Sequence, residues 1–337
     1  MIENIKKKDL SIESLRGFAI LCVVLIHSTT NEKVNYINYF IDVFSKFAVP
    51  MFIFISGYFV YMQKEFIKEN FNKYLLKSFK KIGIPYIIIS ILITIFTFNY
   101  YFDFIRNIIF GTASVPYYFI IVIAQLYLLS KFILIFYEKN KNLLFQISFY
   151  FILFYSILFY VQLYIKGHIV IPYFMWQFPN YLIYFVLGID MAAKGYSYQL
   201  INNISTYKAF IFFLLALFIA LLEVKIHFIR NEQEGDYIAL ASIIYQTVAI
   251  LFFWKIKEKI ENQMFIYLGI FSFGIFLLHK PILDVLIKIF YVNINIFYVN
   301  INIFYGLFSI IISIFIIKLI NIIRKKINAR ITNNNFI

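Results

Sequence analysis

SIESLRGFAILCVVLIHS, residues Ser11 to Ser28, is an apolar run interrupted in its body by one arginine, Arg16, and towards its end by one histidine, His27. With its flanks it extends over about residues 10–30, long enough as a helix to cross a hydrocarbon core of about 30 Å. Ionisable groups inside such a helix are costly, so each implies a partner or a water-filled cavity. Arg16 and His27 stand eleven residues apart, which on an α-helix is about 16 Å and leaves them within about 20° of the same face. They are therefore placed to line one cavity at two depths. Arg16, always charged and offering a fork of donors, suits a phosphate or carboxylate, and His27 suits a general base acting on a hydroxyl. A plainer reading also fits this stretch alone: Arg16 snorkels to the headgroups as a topology signal and His27 sits at an interfacial helix end.

The rest of the chain has the same character. Of 337 residues, 62% are apolar and 14% charged, and the mean hydropathy is +0.81, more apolar surface than a water-soluble fold could bury. Ten runs of spanning length fall near 10–30, 42–62, 82–100, 116–137, 143–164, 174–193, 207–227, 236–254, 265–287 and 303–323. They are continuously apolar rather than alternating, which excludes a β-barrel. The expected fold is all-α: a polytopic membrane helical bundle of about ten transmembrane helices, a single domain over residues 1–337, because no Pro-, Gly- or Ser-rich linker divides it. The net charge of +14 falls in short clusters between the runs, a mark of topology rather than of a nucleic-acid groove. With the N-terminus inside, 23 of the 31 basic residues lie on the inner side, so both ends are expected in the cytoplasm. Lys6, Lys7 and Lys8 lead into a retained first helix rather than a cleaved signal. The single cysteine, Cys22, lies within the first run and allows no internal disulfide. IFYVNIN occurs twice in tandem from Ile289 to Asn302, read as an expanded outer loop, and Tyr101–Ser114 reads as an interfacial segment.

Further motifs follow the first in order: VPMFIFISGYFV (Val49 to Val60), KSFKKIGIPY (Lys77 to Tyr86), PYYFIIVIAQLYLL (Pro116 to Leu129), YFVLGI (Tyr184 to Ile189) and SFGIFLLHKPIL (Ser272 to Leu283). Each is weak alone, but the ordered set, with Arg16 followed after ten residues by His27, resembles acyltransferase family 3, the integral membrane O-acyltransferases. FIIVIAQLYLLSKFI and SFGIFLLHKPILDVL look most like the arm of that family containing the polysaccharide intercellular adhesin O-succinyltransferase. The resemblance covers about residues 9–320.

It implies transfer of an acyl group, acetyl or succinyl, from cytoplasmic acyl-CoA to a hydroxyl of a cell-surface glycan or lipid-linked saccharide, by a multi-pass protein of the cell membrane with no metal. On this resemblance Arg16 helps bind the donor and His27 is catalytic. Lys80 and Lys81 stand where the family usually has Arg, keeping the charge but losing the bidentate fork. Tyr118 keeps an aromatic wall where the family often has Trp. Gln125, polar in mid-membrane, bonds either a neighbouring helix or the substrate. Ser56 and Gly57 read as a close helix-packing site; His279 and Pro281 match the family's motif in the ninth span, and a helix-end kink near the outer surface also accounts for them. No Asp or Glu stands at a spacing that would orient His27, and Glu13, three residues before Arg16, pairs with that arginine instead.

His168, Glu223, Lys225, His227, Glu232, Glu234 and Asp236 fall in or beside predicted outer loops and take no assigned role. Trp176 suits an interfacial belt or a sugar stack. The rival reading is an exporter or flippase that moves a glycan or lipid-linked sugar without chemistry; against it, no internal repeat of the kind that builds many transporters is evident.

Overall fold

The computed structural model describes residues 9–29, 36–96, 103–166, 177–229, 239–290 and 298–334. His168, Trp176, Glu232, Glu234, Asp236 and most of the first heptapeptide lie outside them, as does the side chain of His227. The described residues are helical without strands. In chain order the helices are α1 (Leu10–Thr29), α2 (Tyr36–Ser45), α3 (Ala48–Met62), α4 (Lys64–Glu69), α5 (Phe71–Ser78), α6 (Ile84–Phe96), α7 (Asp103–Phe110), α8 (Tyr118–Lys166), α9 (Leu182–Ala192), α10 (Tyr196–Asn203), α11 (Thr206–Ile229), α12 (Leu240–Lys255), α13 (Lys257–Ile260), α14 (Gln263–Phe290) and α15 (Tyr298–Asn334). Between α5 and α6 the chain makes one π-helical turn, Phe79–Gly83.

Seven segments among the described residues are long and apolar enough to cross a membrane, and two shorter apolar helices, α9 and α12, accompany them. The sequence expectation of ten runs differs for physical reasons. Two of the predicted runs belong to α8, 49 residues whose helical geometry fails at one point, Asn140, with φ −155° and ψ 80°. There the Asn140 side chain accepts the backbone N–H of Leu143 at 3.0 Å, the short-range bond by which asparagine starts a new helix. The segment expected at 174–193 contributes only the 11 residues of α9 after a 3-10 turn at Phe178–Asn180. The second heptapeptide copy, expected as loop, is helical from Tyr298 onwards. Within the expected interfacial segment, α7 presents exposed Ile105 and Ile109.

The most extensive helix pairings are α1 with α14 and α3 with α9, and glycines explain both. A Cβ on Gly17 would lie 1.8 Å from the carbonyl oxygen of Phe265, and one on Gly269 1.9 Å from that of Glu13. A Cβ on Gly57 would lie 2.1 Å from the Phe185 oxygen, and one on Gly188 1.9 Å from that of Phe54. Each pair of helices therefore touches backbone to backbone, the contact that small residues permit where lipid supplies no hydrophobic drive. The helices α1 and α14 run in the same direction. Ser14 donates to the carbonyl of Ile260 at 3.0 Å beside the start of α14, and the rings of His27 and His279 meet farther along both.

Proline perturbs α14 at one place. Pro281 has no N–H for the carbonyl four residues back, Leu277. The hydroxyl of the fully buried Tyr117 donates to that oxygen at 2.5 Å, so the freed acceptor is satisfied from a different helix.

Candidate active site

Five helices, α1, α3, α5 with the π turn that follows it, α8 and α14, enclose a cavity of about 390 Å³. Arg16 lines it from α1. One guanidinium nitrogen, Nη1, reaches both carboxylate oxygens of Glu13 at 3.2 Å, and Nη2 donates to Ser272 Oγ at 3.0 Å. The glycine crossing brings Ser272 that close. The Glu13 side chain is 4% exposed and that of Arg16 25%, so the pair belongs to the cavity wall rather than to the surface.

Lys77, Lys81 and Gln63, all exposed, mark the mouth. The cavity is lined by one carboxylate, Glu13, and three cations, Arg16, Lys77 and Lys81, a net charge of +2 if all are ionised. Deeper in, the walls are Phe52, Ile55, Phe119, Ile120, Ile123, Phe273 and Phe276. The space is thus cationic where it opens and apolar where it ends, a shape for a molecule with an anionic head and a short apolar or neutral tail. Three ring contacts lead from its inner end to the histidines: Phe119 to Phe276 at 5.2 Å, Phe276 to His279 at 6.2 Å and His279 to His27 at 5.3 Å between centroids.

The sequence candidates divide. Arg16 and Lys81 line the cavity together; Lys80, on the same turn, is exposed and does not line it. Lys77, four residues before Lys81, lines it and was not singled out by the sequence. Tyr118 is not among the lining residues, which on α8 are Phe119, Ile120, Ile123 and Tyr127. Gln125 faces another way: its Oε1 accepts the backbone N–H of Phe178 at 2.9 Å, tying α8 to the 3-10 turn before α9. His27 does not line this cavity either; it packs against His279, beyond Phe276. Ser56 lines it from α3, its hydroxyl donating to the Phe52 carbonyl at 2.8 Å. Among the described residues no group of three His, Cys, Asp or Glu is arranged to hold a metal ion.

The signatures at the two ends of the chain prove to be one unit in space. The arginine of the Ser11–Ser28 stretch bonds the serine that opens SFGIFLLHKPIL, and its histidine packs against the histidine of the same motif.

A family model described as an acyltransferase domain matches residues 9–321. No curated protein and no solved structure matches.

Proposed function

We propose, starting from the fact that this chain belongs to acyltransferase family 3, that it moves a short acyl group from acyl-CoA to a hydroxyl of a cell-surface glycan or lipid-linked saccharide. The observation that carries the reading is the graded cavity: Lys77 and Lys81 at the open end, the Arg16–Glu13 pair in its wall, and aromatic and aliphatic side chains at the inner end. Such a space matches a phosphate-bearing thioester, whose charged part binds Arg16, Lys77 and Lys81 and whose acyl end lies towards Phe276. His27 takes the proton of the acceptor hydroxyl as the oxygen attacks the thioester carbonyl. Acetyl and succinyl are the acyl groups we favour, in line with the resemblance to the adhesin O-succinyltransferase arm.

The topology in this reading is ten passes of the cell membrane with both ends in the cytoplasm. Parallel α1 and α14 require an odd number of passes between them. Counting α8 as two, with α9 and α12 as short passes, α3, α6, α11 and these four supply seven. The cavity mouth then opens to the cytoplasm, where acyl-CoA is found.

The test is transfer of label from acetyl-CoA or succinyl-CoA to a candidate glycan by the purified protein and by His27→Ala. Label reaching the glycan with the wild type and not with the variant is the expected result. Glycan movement across vesicles that survives loss of His27, with no label transferred, would establish the exporter instead.

A further inference from the structure

His279 is fully buried, and its Nδ1 lies 2.9 Å from the carbonyl oxygens of Ile275 and Phe276. Carbonyl oxygens only accept, so Nδ1 carries the proton and donates. In the neutral ring this leaves Nε2 as a bare lone pair. That atom is buried and has no hydrogen-bond partner, a costly and uncommon condition for a polar atom. With Nδ1 turned towards the backbone of α14, Nε2 sits on the ring edge away from it. The neighbouring imidazole on α1 is that of His27, with ring centroids 5.3 Å apart and planes at 39°. A ring-to-ring N–H···N bond of about 2.9 Å, with each nitrogen about 1.1 Å from its ring centre, separates two centres by about 5 Å. The observed centroid spacing is close to that separation.

We propose that His279 is the positioning residue for His27: its Nε2 accepts one ring N–H of His27, fixing the tautomer in which the lone pair lies on the other nitrogen, the one that acts as base. This rests on the reading that His27 is that base. A nucleophile-activating base is commonly oriented by a third group, and here a neutral imidazole held in one tautomer by its own helix fills the place of a carboxylate. In the transfer step the acceptor hydroxyl gives its proton to His27 while its oxygen bonds to the thioester carbonyl carbon. As the tetrahedral species collapses the C–S bond breaks, and the departing thiolate takes that proton from His27. His279 keeps its Nδ1 proton throughout and stabilises the transient imidazolium through the shared N–H.

Two substitutions separate this role from simple anchoring. His279→Asn keeps a donor near the Nδ1 position and loses the acceptor at Nε2; His279→Gln keeps a group able to accept near Nε2 and loses the anchor. With the full chain in lipid nanodiscs, we expect His279→Asn to lower kcat about 100-fold at an unchanged donor KM, and His279→Gln to recover at least about a tenth of the loss. An anchoring role gives the opposite order, and either that order or a wild-type rate in His279→Asn overturns the proposal. A second readout needs no turnover: ring-15N histidine spectra, with the His27 signals assigned by their loss in His27→Ala. We expect one His27 tautomer in wild type and His279→Gln and a mixture in His279→Asn; an identical His27 signal in all three overturns the pairing. A wild type that shows the pairing but transfers no acyl group sinks the acyltransferase reading and leaves the pairing established.

Discussion

Arg16 serves two neighbours of different kinds, a carboxylate on its own helix and a hydroxyl on α14. Breaking a buried ion pair leaves an uncompensated charge, and with Arg16 partly exposed we expect Glu13→Gln to cost about 3 kcal/mol, read as a lower thermal midpoint in detergent. For Arg16→Lys the charge survives while the fork is lost; the donor KM should rise about tenfold, an interaction of about 1.4 kcal/mol, with kcat changing less. A donor KM equal to that of wild type would remove Arg16 from donor binding. At this scale the local pair was legible, because Glu13 and Arg16 are three apart on one helix. The residues of α8 were not. Phe119, Ile120, Ile123 and Tyr127 share one side of that helix, and at 100° per residue Tyr118 and Gln125 fall about 150° or more from its centre. In a span that is apolar all round, nothing in the sequence marks which side faces a cavity. Lys77 was hidden differently: it resembles any other basic residue of an inner loop until the π turn aligns it with Lys81.

At the scale of the helices, the contacts that matter are between backbones. Gly17→Ala and Gly269→Ala place a methyl group inside van der Waals contact with a carbonyl on the facing helix, so both should lose folded yield and acyl transfer together. Gly274→Ala is the control: the nearest atoms to its Cβ belong to the Ile317 side chain and not to backbone, so the neighbour can turn aside and the protein should keep more of its yield than either crossing variant. Pro281 and Tyr117 make a second pair. Tyr117→Phe strands the Leu277 carbonyl and should cost about 1–3 kcal/mol. In a Pro281→Ala background the restored N–H can take over that carbonyl, so the same change should cost less, a coupling that a double-mutant cycle measures directly. Additive effects would show that Tyr117 and Pro281 act independently. The sequence marked Gly57 as a packing site and Pro281 as a kink, yet it could not name Tyr117, since the partner comes from a helix start some 160 positions earlier in the chain.

For the molecule as a whole, the apolar runs made the class of fold plain and the basic clusters suggested its sidedness. Spans are counted by length, and two features defeat a count by length: a helix that continues through its turn with a single break at Asn140, and an α9 of 11 residues. The sidedness has its own test. Cys22 is buried and free, so cysteines introduced one at a time report separately. Lys139→Cys and Lys257→Cys should resist a membrane-impermeant maleimide added to intact cells and react once the cells are opened. Labelling of either from outside would invert the topology.

The glycine crossing between α1 and α14 has a mechanical consequence for how anything gets in. Arg16 and Ser272 ride on two helices whose main chains already touch, so that jaw of the pocket has nowhere to retreat. The opposing jaw is α5 and its π turn, carrying Lys77 and Lys81, in a span largely uncovered by protein. For the proposed donor we therefore expect a one-sided loading motion, in which the lysines move aside and the arginine stays where it stands; spin labels on α5 and on α1 would show movement of the first and not of the second.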